Sequence, residues 1–145
     1  MKKTGFGLNY QKISISTSGE RFYSITDQIQ SSLKQVAKSP SGILHLFLLH
    51  TSCALTISED YDPSARRDME NFLKHIASRD LPFIEHTLEG PDDSPSHMKS
   101  ILLQQHLAIP VEEGELLLGT WQGVYLAEFR DAPHQRNIIV KFCAD

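Results

Sequence analysis

The sequence is poor in cysteine and has no long apolar run, and both absences limit what the protein can be. Its two cysteines, Cys53 and Cys143, lie ninety positions apart in apolar surroundings without CxxC spacing, a pattern that favours buried free thiols. No eighteen-residue apolar stretch is available to span a bilayer. The opening "MKKTGFGLNYQKISIS" has two lysines but no apolar segment or cleavage site behind them. We therefore expect a cytoplasmic protein without a membrane partner.

The sequence also lacks an excess of positive charge. Fourteen lysine and arginine residues stand against eighteen aspartate and glutamate residues, for a formal net charge of −4. Nucleic-acid-binding domains usually carry a strongly basic surface, so we expect no nucleic-acid partner, and any anion site must be local. The 145 residues are 40% hydrophobic and contain no internal repeat or dividing linker. One domain spanning residues 1–145 is therefore predicted.

The first half of the sequence predicts strands and two helices. "NYQKISIS" alternates like a strand, and "SITDQIQSSLKQV" has apolar residues at helical spacing. The long apolar segment "GILHLFLLHTSCALTISE" is too evenly apolar for a surface helix, which predicts strand structure broken near His50. A second helix follows, with Asp62 as N-cap and Pro63 at its first position. Its predicted buried stripe consists of Ala65, Met69, Phe72, Leu73 and Ile76.

The second half predicts a loop, a short helix and a series of strands. Residues 79–96 are polar and predict a loop, and "PSHMKSILLQQ" predicts a helix capped by Ser94 or Ser96. Turn signals then separate four predicted strands, which are "LAIPV", "ELLLGTW", "VYLAEFRD" and "NIIVKFC". Successive short strands indicate antiparallel pairing. We therefore predict an α+β fold, a single compact domain of antiparallel β-sheets with helices packed against them.

Histidines and carboxylates in the polar loop form a candidate metal site. His86 and His97 flank Glu89, Asp92 and Asp93, and His50 ends an apolar strand elsewhere. Three imidazoles that converge on a cation leave coordination positions open, as a catalytic Zn²⁺ requires. The alternative is that these histidines are surface or hydrogen-bonded core residues. The other histidines are assigned to the core or an interface (His45) or to the surface (His75, His106 and His134).

The start of the short helix is a candidate anion site. Exposed N–H groups at a helix N-terminus favour an anion, and Ser94, Ser96, Lys99 and Ser100 surround that end of the helix in the sequence. A phosphate would fit there. Alternatively, the serines only cap the helix and Lys99 is solvated.

Three residues near the C-terminal end are unusual for otherwise apolar strands. Glu128 and Arg130 share one face of a strand, because side chains repeat every two residues, and Trp121 precedes them. An ion pair at a sheet edge is one interpretation. The other is a substrate clamp in which Trp121 stacks on a ring.

Several segments of the sequence together resemble the YjbQ family, often labelled secondary thiamine-phosphate synthase. These segments are "HTSCALTISEDYDPSARRDME", "EHTLEGPDDSPSHMKSILL", "AIPVEEGELLLGTWQGVYLAEFRD" and "QRNIIVKF". The resemblance runs from Leu8 to Phe142. It implies a compact α+β domain with antiparallel sheets that associates as a homotrimer. Cys53 and Ile84 depart from the family pattern, and so does the absence of a glycine in "QQHLAIP".

The resemblance and the chemistry above together select the candidate site residues. Those assigned to catalysis are Glu89, Asp92, Lys99, Glu128 and Arg130. Those assigned to substrate binding are Ser52, Ser100, Thr120, Trp121 and Gln122. The assigned metal ligands are His50, His86 and His97. The family's polar signature further covers Thr51, Glu59, Asp62, Asp68, Gly90, Gly119 and Arg136.

Three functions remain open from the sequence. A thiamine-phosphate synthase joins a pyrimidine pyrophosphate to a thiazole phosphate; Lys99, Arg130 and the helix N-terminus would stabilise the departing pyrophosphate, with Mg²⁺ on Asp92 and Glu89. A hydrolase of a phosphorylated small molecule would use a histidine-held Zn²⁺, with Glu89 as general base. A non-catalytic trimer would bind a small anionic metabolite at its subunit boundaries.

Overall fold

The computed structural model describes residues 9–145, in which strands and helices alternate irregularly. The strands are β1 (Tyr10–Ser18), β2 (Arg21–Ser24), β3 (Gly42–Leu48), β4 (Cys53–Glu59), β5 (His106–Glu112), β6 (Glu115–Leu116), β7 (Gln122–Glu128) and β8 (Pro133–Ala144). The helices are α1 (Thr26–Val36), α2 (Pro63–Ile76) and α3 (Asp93–Leu102). Among these described residues, no helix has the length and apolar character needed to cross a membrane.

The strands form two sheets, and every pairing within them is antiparallel, as predicted. Sheet A has the order β1-β8-β3-β5-β6, and sheet B has the order β2-β7-β4. Successive side chains of a strand point to opposite faces, so alternate residues of β3 enter the core between the sheets. The core includes Leu44, Leu46 and Leu48 of β3, together with Ile29 and Leu33 of α1. The α+β architecture predicted from the sequence is confirmed.

Helix α2 packs on the other face of sheet B. Its start is as predicted, because the Asp62 side chain accepts the N–H of Ser64 at 2.9 Å and Pro63 opens the helix. The predicted buried stripe is wrong in part. Leu73 is buried, but Phe72 and Ile76 are exposed, because the narrow three-stranded sheet contacts a narrow strip of the helix.

Other differences from the predicted elements are local. Strand β2 was not predicted, because four residues are too few to establish a periodicity; it pairs with the end of β7. The predicted strand "ELLLGTW" shortens to the two residues of β6. Cys53 is buried as predicted, whereas Cys143 is exposed because it alternates with the inward-facing Phe142 on β8.

Helix α3 begins earlier than predicted, inside the segment expected to be a loop. Its first residue is Asp93, and Pro95 is accommodated because the first turn of a helix has no intrahelical use for its N–H groups. Ser94 and Ser96 are therefore inside the helix and do not cap it. The Ser96 hydroxyl instead donates to the Asp93 carbonyl. This early start places Asp93 and His97 four residues apart on one helix face.

Candidate functional site

His86, Asp93 and His97 converge at the start of α3. One potential ligand atom from each lies within 4.8 Å of the others. The Nε2 atom of His86 is 2.7 Å from Oδ2 of Asp93, and Nε2 of His97 is 3.4 Å from Oδ1 of the same carboxylate. The Asp93 side chain is 3% exposed, whereas His86 is 56% exposed. The cluster is therefore anchored on the protein side and open to solvent on the histidine side.

A backbone hydrogen bond sets the tautomer of His97. Its Nδ1 donates to the carbonyl oxygen of Thr51 at 2.8 Å. A carbonyl oxygen accepts but cannot donate, so Nδ1 carries a proton, and in the neutral imidazole Nε2 keeps its lone pair. Metal-binding histidines commonly donate their second N–H to such an oxygen. The lone pair of His97 is therefore free on the side that faces Asp93.

Arg130 holds the carboxylate side of the cluster. It donates from Nη1 to Oδ1 of Asp93 at 2.7 Å, from Nε to Oδ2 of Asp92 at 2.9 Å and from Nη2 to the Glu89 carbonyl at 3.0 Å. Burial opposes ionisation of Asp92, but hydrogen bonds from the Asp131 N–H and from Arg130 outweigh it and hold its pKa below the usual range. This bonding fixes the Asp93 carboxylate and leaves its Oδ2 directed at His86.

His50, predicted as a metal ligand, lies beside the cluster with its Nε2 occupied. That atom accepts the backbone N–H of Asn137 at 2.7 Å, so Nδ1 carries the ring proton. Burial, followed by the charge of Arg136, lowers the pKa of His50 and favours its neutral form. His50 and His97 both line a shallow cavity of about 330 Å³, together with Thr51, Ser100, Ile101 and Gln105. Asp93 occupies the third place in the cluster that the sequence had assigned to His50.

Lys99 is not at the helix N-terminus, which corrects the predicted anion site. Its side chain is 2% exposed, and Nζ lies 3.1 Å from both carboxylate oxygens of Glu20. The N-terminal end of α3 instead carries Asp92 and Asp93, whose negative charge the helix dipole favours. The predicted neighbour Ser100 is also engaged, because its hydroxyl donates to the Cys53 carbonyl at 2.8 Å.

Glu128 is completely buried and pairs with a residue other than Arg130. The Nε atom of Arg136 donates to Oε1 of Glu128 at 2.7 Å, and Nη2 of Arg136 donates to the hydroxyl of Ser52 at 2.9 Å. Strand β7 ends at Glu128, so the two-residue repeat does not extend to Arg130. The predicted Glu128–Arg130 side-chain pair is therefore absent. Glu89, also predicted as catalytic, is 71% exposed, with Oε2 4.0 Å from Nη1 of Arg130.

Thr120, Trp121 and Gln122 lie at the other end of sheet B. In the β4–β7 ladder, Gln122 faces Glu59, whereas Glu128 faces Cys53. Six strand steps separate these positions, or about 20 Å at the usual rise per residue. Trp121 is 57% exposed and contacts Tyr61 edge to face, with ring centroids 5.0 Å apart. Within one chain these residues are remote from the histidine cluster, and their role in substrate binding stays a prediction.

The sequence interpretation did not select Asp93 as a ligand and left Arg136 outside the site. The four-residue spacing between Asp93 and His97 is the sequence signal for Asp93 as a ligand, since residues four apart share a helix face. This signal can be used only when the helix is known to begin at Asp93. No local signal marks Arg136. Its partners, Glu128 and Ser52, are 8 and 84 positions away.

The comparisons with known proteins assign this chain to a defined family. The family described as "UPF0047 protein YjbQ-like" matches residues 11–145, and the chain belongs to it. UPF0047 protein YjbQ of Salmonella typhimurium is 46% identical over 132 residues, which are 90% of this chain and 94% of that protein. Its counterpart from Escherichia coli O157:H7 is 42% identical over 131 residues, with the same two shares.

Solved structures agree with the family assignment. A conserved hypothetical protein from Thermus thermophilus superposes with a TM-score of 0.82 at 36% identity, covering 92% of this chain and 99% of that one. A YjbQ/UPF0047-family protein from Clostridium acetobutylicum gives a TM-score of 0.82 at 30% identity, with the same coverage. The two-sheet architecture is therefore shared across distant bacteria.

Proposed function

We propose that this chain is a divalent-metal-dependent hydrolase that acts on a phosphorylated small molecule. The observation that carries the proposal is the convergence of His86 Nε2, the Asp93 carboxylate and His97 Nε2 within 4.8 Å. Two imidazoles and one carboxylate suit Zn²⁺ or a similar transition metal better than Mg²⁺, which prefers oxygen ligands. Three protein ligands also leave a coordination position open, as catalytic zinc sites do.

The geometry of the cluster fits such an ion. Two donors that each lie about 2.0–2.2 Å from a tetrahedral Zn²⁺ are about 3.3–3.6 Å apart. His97 Nε2 and Asp93 Oδ1 are 3.4 Å apart, and His86 Nε2, at 2.7 Å from Oδ2, belongs to an exposed ring with room to move outward. The Thr51 carbonyl and the Arg130 guanidinium hold His97 and Asp93 from behind. Such supporting hydrogen bonds orient metal ligands and raise their basicity.

The metal ligands, Glu89 and the neighbouring cavity would have separate roles in hydrolysis. His86, Asp93 and His97 would hold the divalent ion, which would supply a water molecule of lowered pKa and polarise a phosphoryl oxygen. Glu89, which is exposed beside Arg130, would accept a proton as the general base. The cavity next to His97 would receive the rest of the substrate. Since its lining residues include no lysine, arginine or carboxylate, it suits an uncharged polar group.

The synthase and the non-catalytic alternatives receive less support. A synthase needs cationic groups for the departing pyrophosphate, but Lys99 is bound to Glu20 and Arg130 to Asp92 and Asp93. Pyrophosphate release that requires both the pyrimidine and the thiazole phosphate would establish the synthase instead. Metal binding without turnover of any phosphoester would favour the binding protein.

The test is metal analysis and turnover of the same preparations. Untagged protein is purified without chelators, its metal content is measured, and hydrolysis of p-nitrophenyl phosphate is followed with added Zn²⁺, Mn²⁺ or Mg²⁺. We expect close to one transition-metal ion per chain and metal-dependent hydrolysis. Both should be lost in His97→Ala, which removes a ligand.

His75→Ala is the matched control. His75 is an exposed histidine in the last turn of α2, so its removal changes the histidine count but not the cluster. Equal metal content in His97→Ala and His75→Ala, or no bound metal in the wild-type chain, would refute the metal site. Metal binding with no hydrolysis would refute the reaction and keep the site.

The homotrimer implied by the family resemblance is likewise a proposal. Its support is the outer face of sheet A, where Ile43, Phe47 and Leu49 are 41%, 51% and 47% exposed. Adjacent exposed apolar residues on one sheet face are typical of association surfaces. We expect light scattering after gel filtration to give three times the chain mass for the wild type and a smaller mass for Phe47→Glu. A monomeric wild type would refute the homotrimer.

The cytoplasmic location also stays a prediction.

A further inference from the structure

A buried ion pair lies behind the candidate metal site. Glu128 is 0% exposed and Arg136 is 3% exposed, and they are joined by two hydrogen bonds. Burial opposes ionisation of Glu128, but hydrogen bonds from Arg136 and Thr17 outweigh it and hold its pKa below the usual range. Neither charged group reaches the solvent, so neither can contact a substrate directly.

On one side, the pair holds the segment that carries Arg130. The Oε2 atom of Glu128 accepts the backbone N–H groups of Phe129 and Arg130 at 3.0 and 3.2 Å. These two bonds fix the chain at the point where it leaves β7. The guanidinium of Arg130 then reaches Asp92 and Asp93. The orientation of the Asp93 carboxylate therefore depends on Glu128 through one intervening residue.

On the other side, the pair holds the segment that carries the Thr51 carbonyl. The Nη2 atom of Arg136 donates to the hydroxyl of Ser52 at 2.9 Å and lies 3.5 Å from its carbonyl oxygen. Ser52 directly follows Thr51, whose carbonyl accepts the Nδ1 proton of His97. The tautomer of His97 therefore depends on Arg136, again through one intervening segment.

We propose that Glu128 and Arg136 form a positioning unit that aligns both halves of the metal site, the Asp93 carboxylate through Arg130 and the His97 imidazole through Thr51. The inference rests on the proposed function, because it assigns these residues to the same site. It replaces the catalytic role that the sequence suggested for Glu128. A buried ion pair by itself contributes little stability relative to well-packed apolar residues. We therefore assign the function of this pair to its hydrogen bonds with Ser52 and with the Arg130 backbone.

Two conservative variants separate the two halves of the unit. Arg136→Lys keeps the positive charge but loses the forked geometry that reaches both Glu128 and Ser52. Glu128→Gln keeps the shape and loses the charge that binds the two backbone N–H groups. We expect each variant to bind Zn²⁺ about 10–100-fold more weakly, as loss of supporting hydrogen bonds typically causes. Zn²⁺ affinity is measured by competition with a chelating dye.

Leu33→Ala is the control for general destabilisation. Leu33 is fully buried in α1, and its truncation lowers stability by leaving a core cavity without touching the site. We expect it to keep the wild-type Zn²⁺ affinity at a temperature where all variants are folded. An equal loss of affinity in Leu33→Ala would overturn the positioning role.

Nitrogen NMR of the metal-free protein gives a readout that does not depend on the metal. We expect Arg136→Lys to reduce the Nδ1–H tautomer of His97 and Glu128→Gln to shift the side-chain Nε signal of Arg130, each with a smaller effect on the other half. Folded variants with wild-type affinity and wild-type signals would overturn the inference. If the wild-type chain binds no Zn²⁺, the proposed function is refuted. The positioning of Asp93 and His97 by Glu128 and Arg136 is then refuted separately, by NMR signals that are unchanged in both variants.

Discussion

The two ends of the β4–β7 ladder are built differently, although residues of the predicted site occur at both. At the end near Cys53 and Glu128, charged groups are buried and each is bound by opposite charges or backbone groups. At the end near Glu59 and Gln122, the side chains are largely exposed, and Trp121 contacts Tyr61 across the surface. The buried end has fixed geometry, because a buried charge persists where its hydrogen bonds are satisfied.

Residues at the buried end position the side chains of the candidate metal site, whereas residues at the exposed end remain free to contact a substrate or another protein chain. The buried end fixes Asp93 and His97 in one arrangement within a single chain. The exposed end has no comparable convergence of ligand atoms among residues 9–145. It is therefore available to a substrate or to another copy of the chain, and its connection to the first end is open to experiment.

The largest expected effect is at the buried end. Arg136→Met leaves Glu128 buried without its cation, and we expect the free energy of unfolding to fall by about 3–5 kcal/mol, as for other broken buried pairs. Glu59→Gln at the exposed end should change it by less than about 0.5 kcal/mol. Urea denaturation measures both. Similar losses for the two variants would remove the distinction between the two ends.

Metal binding should separate the ends next. Zn²⁺ that binds the folded chain but not the unfolded chain raises the thermal midpoint, and the rise grows with the logarithm of the Zn²⁺ concentration relative to Kd. We expect the rise to disappear in Asp93→Asn, which loses a ligand charge, and to return to baseline in the wild type after chelation. Asp62→Asn is the matched exchange elsewhere, since asparagine also caps a helix. A rise that survives in Asp93→Asn would contradict the cluster.

Mild acid should weaken the buried end through His50. Its pKa is lowered in the folded chain, first by burial and then by Arg136, so the unfolded chain binds a proton more readily. Stability should therefore fall as the pH drops below the usual histidine pKa of about 6.5 and level off below the folded pKa.

The size and control of this pH effect follow from its cause. We expect the decrease in thermal midpoint to be a few degrees at most. His50→Gln should flatten it, because glutamine accepts the Asn137 N–H without titrating, whereas exposed His75→Gln should not. Thermal scans between pH 5 and 8 measure all three chains, and an unchanged slope in His50→Gln would exclude His50 as the source.

The smallest effect is expected for Trp121→Ala. Because Trp121 is 57% exposed and precedes Gln122, about 20 Å along β7 from Glu128, its loss should leave Zn²⁺ affinity within about twofold of the wild type. Isothermal titration measures this. A large loss in affinity would indicate that the exposed end of one chain meets the buried end of another.

Local patterns in the amino-acid sequence were sufficient for the framework of this protein. The N-cap Asp62 with Pro63, the strand break near His50 and the turn signals between the later strands depend on residues close together in the chain, and all were predicted. The family resemblance was also correct, because it rests on motifs spread over most of the length. Short elements such as β2 were missed because they contain too few residues for a period.

The partners of the buried charges could not be read in this way. Lys99 meets Glu20 across 79 positions, and Glu128 meets Thr17 across 111 positions. A spacing rule relates neighbours on one helix or strand, whereas these pairs depend on how two sheets and α3 pack together. The same packing explains why Asp93, and not the predicted His50, is the third member of the cluster. After the strand break, Nε2 of His50 accepts the Asn137 N–H. Because α3 begins early, Asp93 lies beside His97.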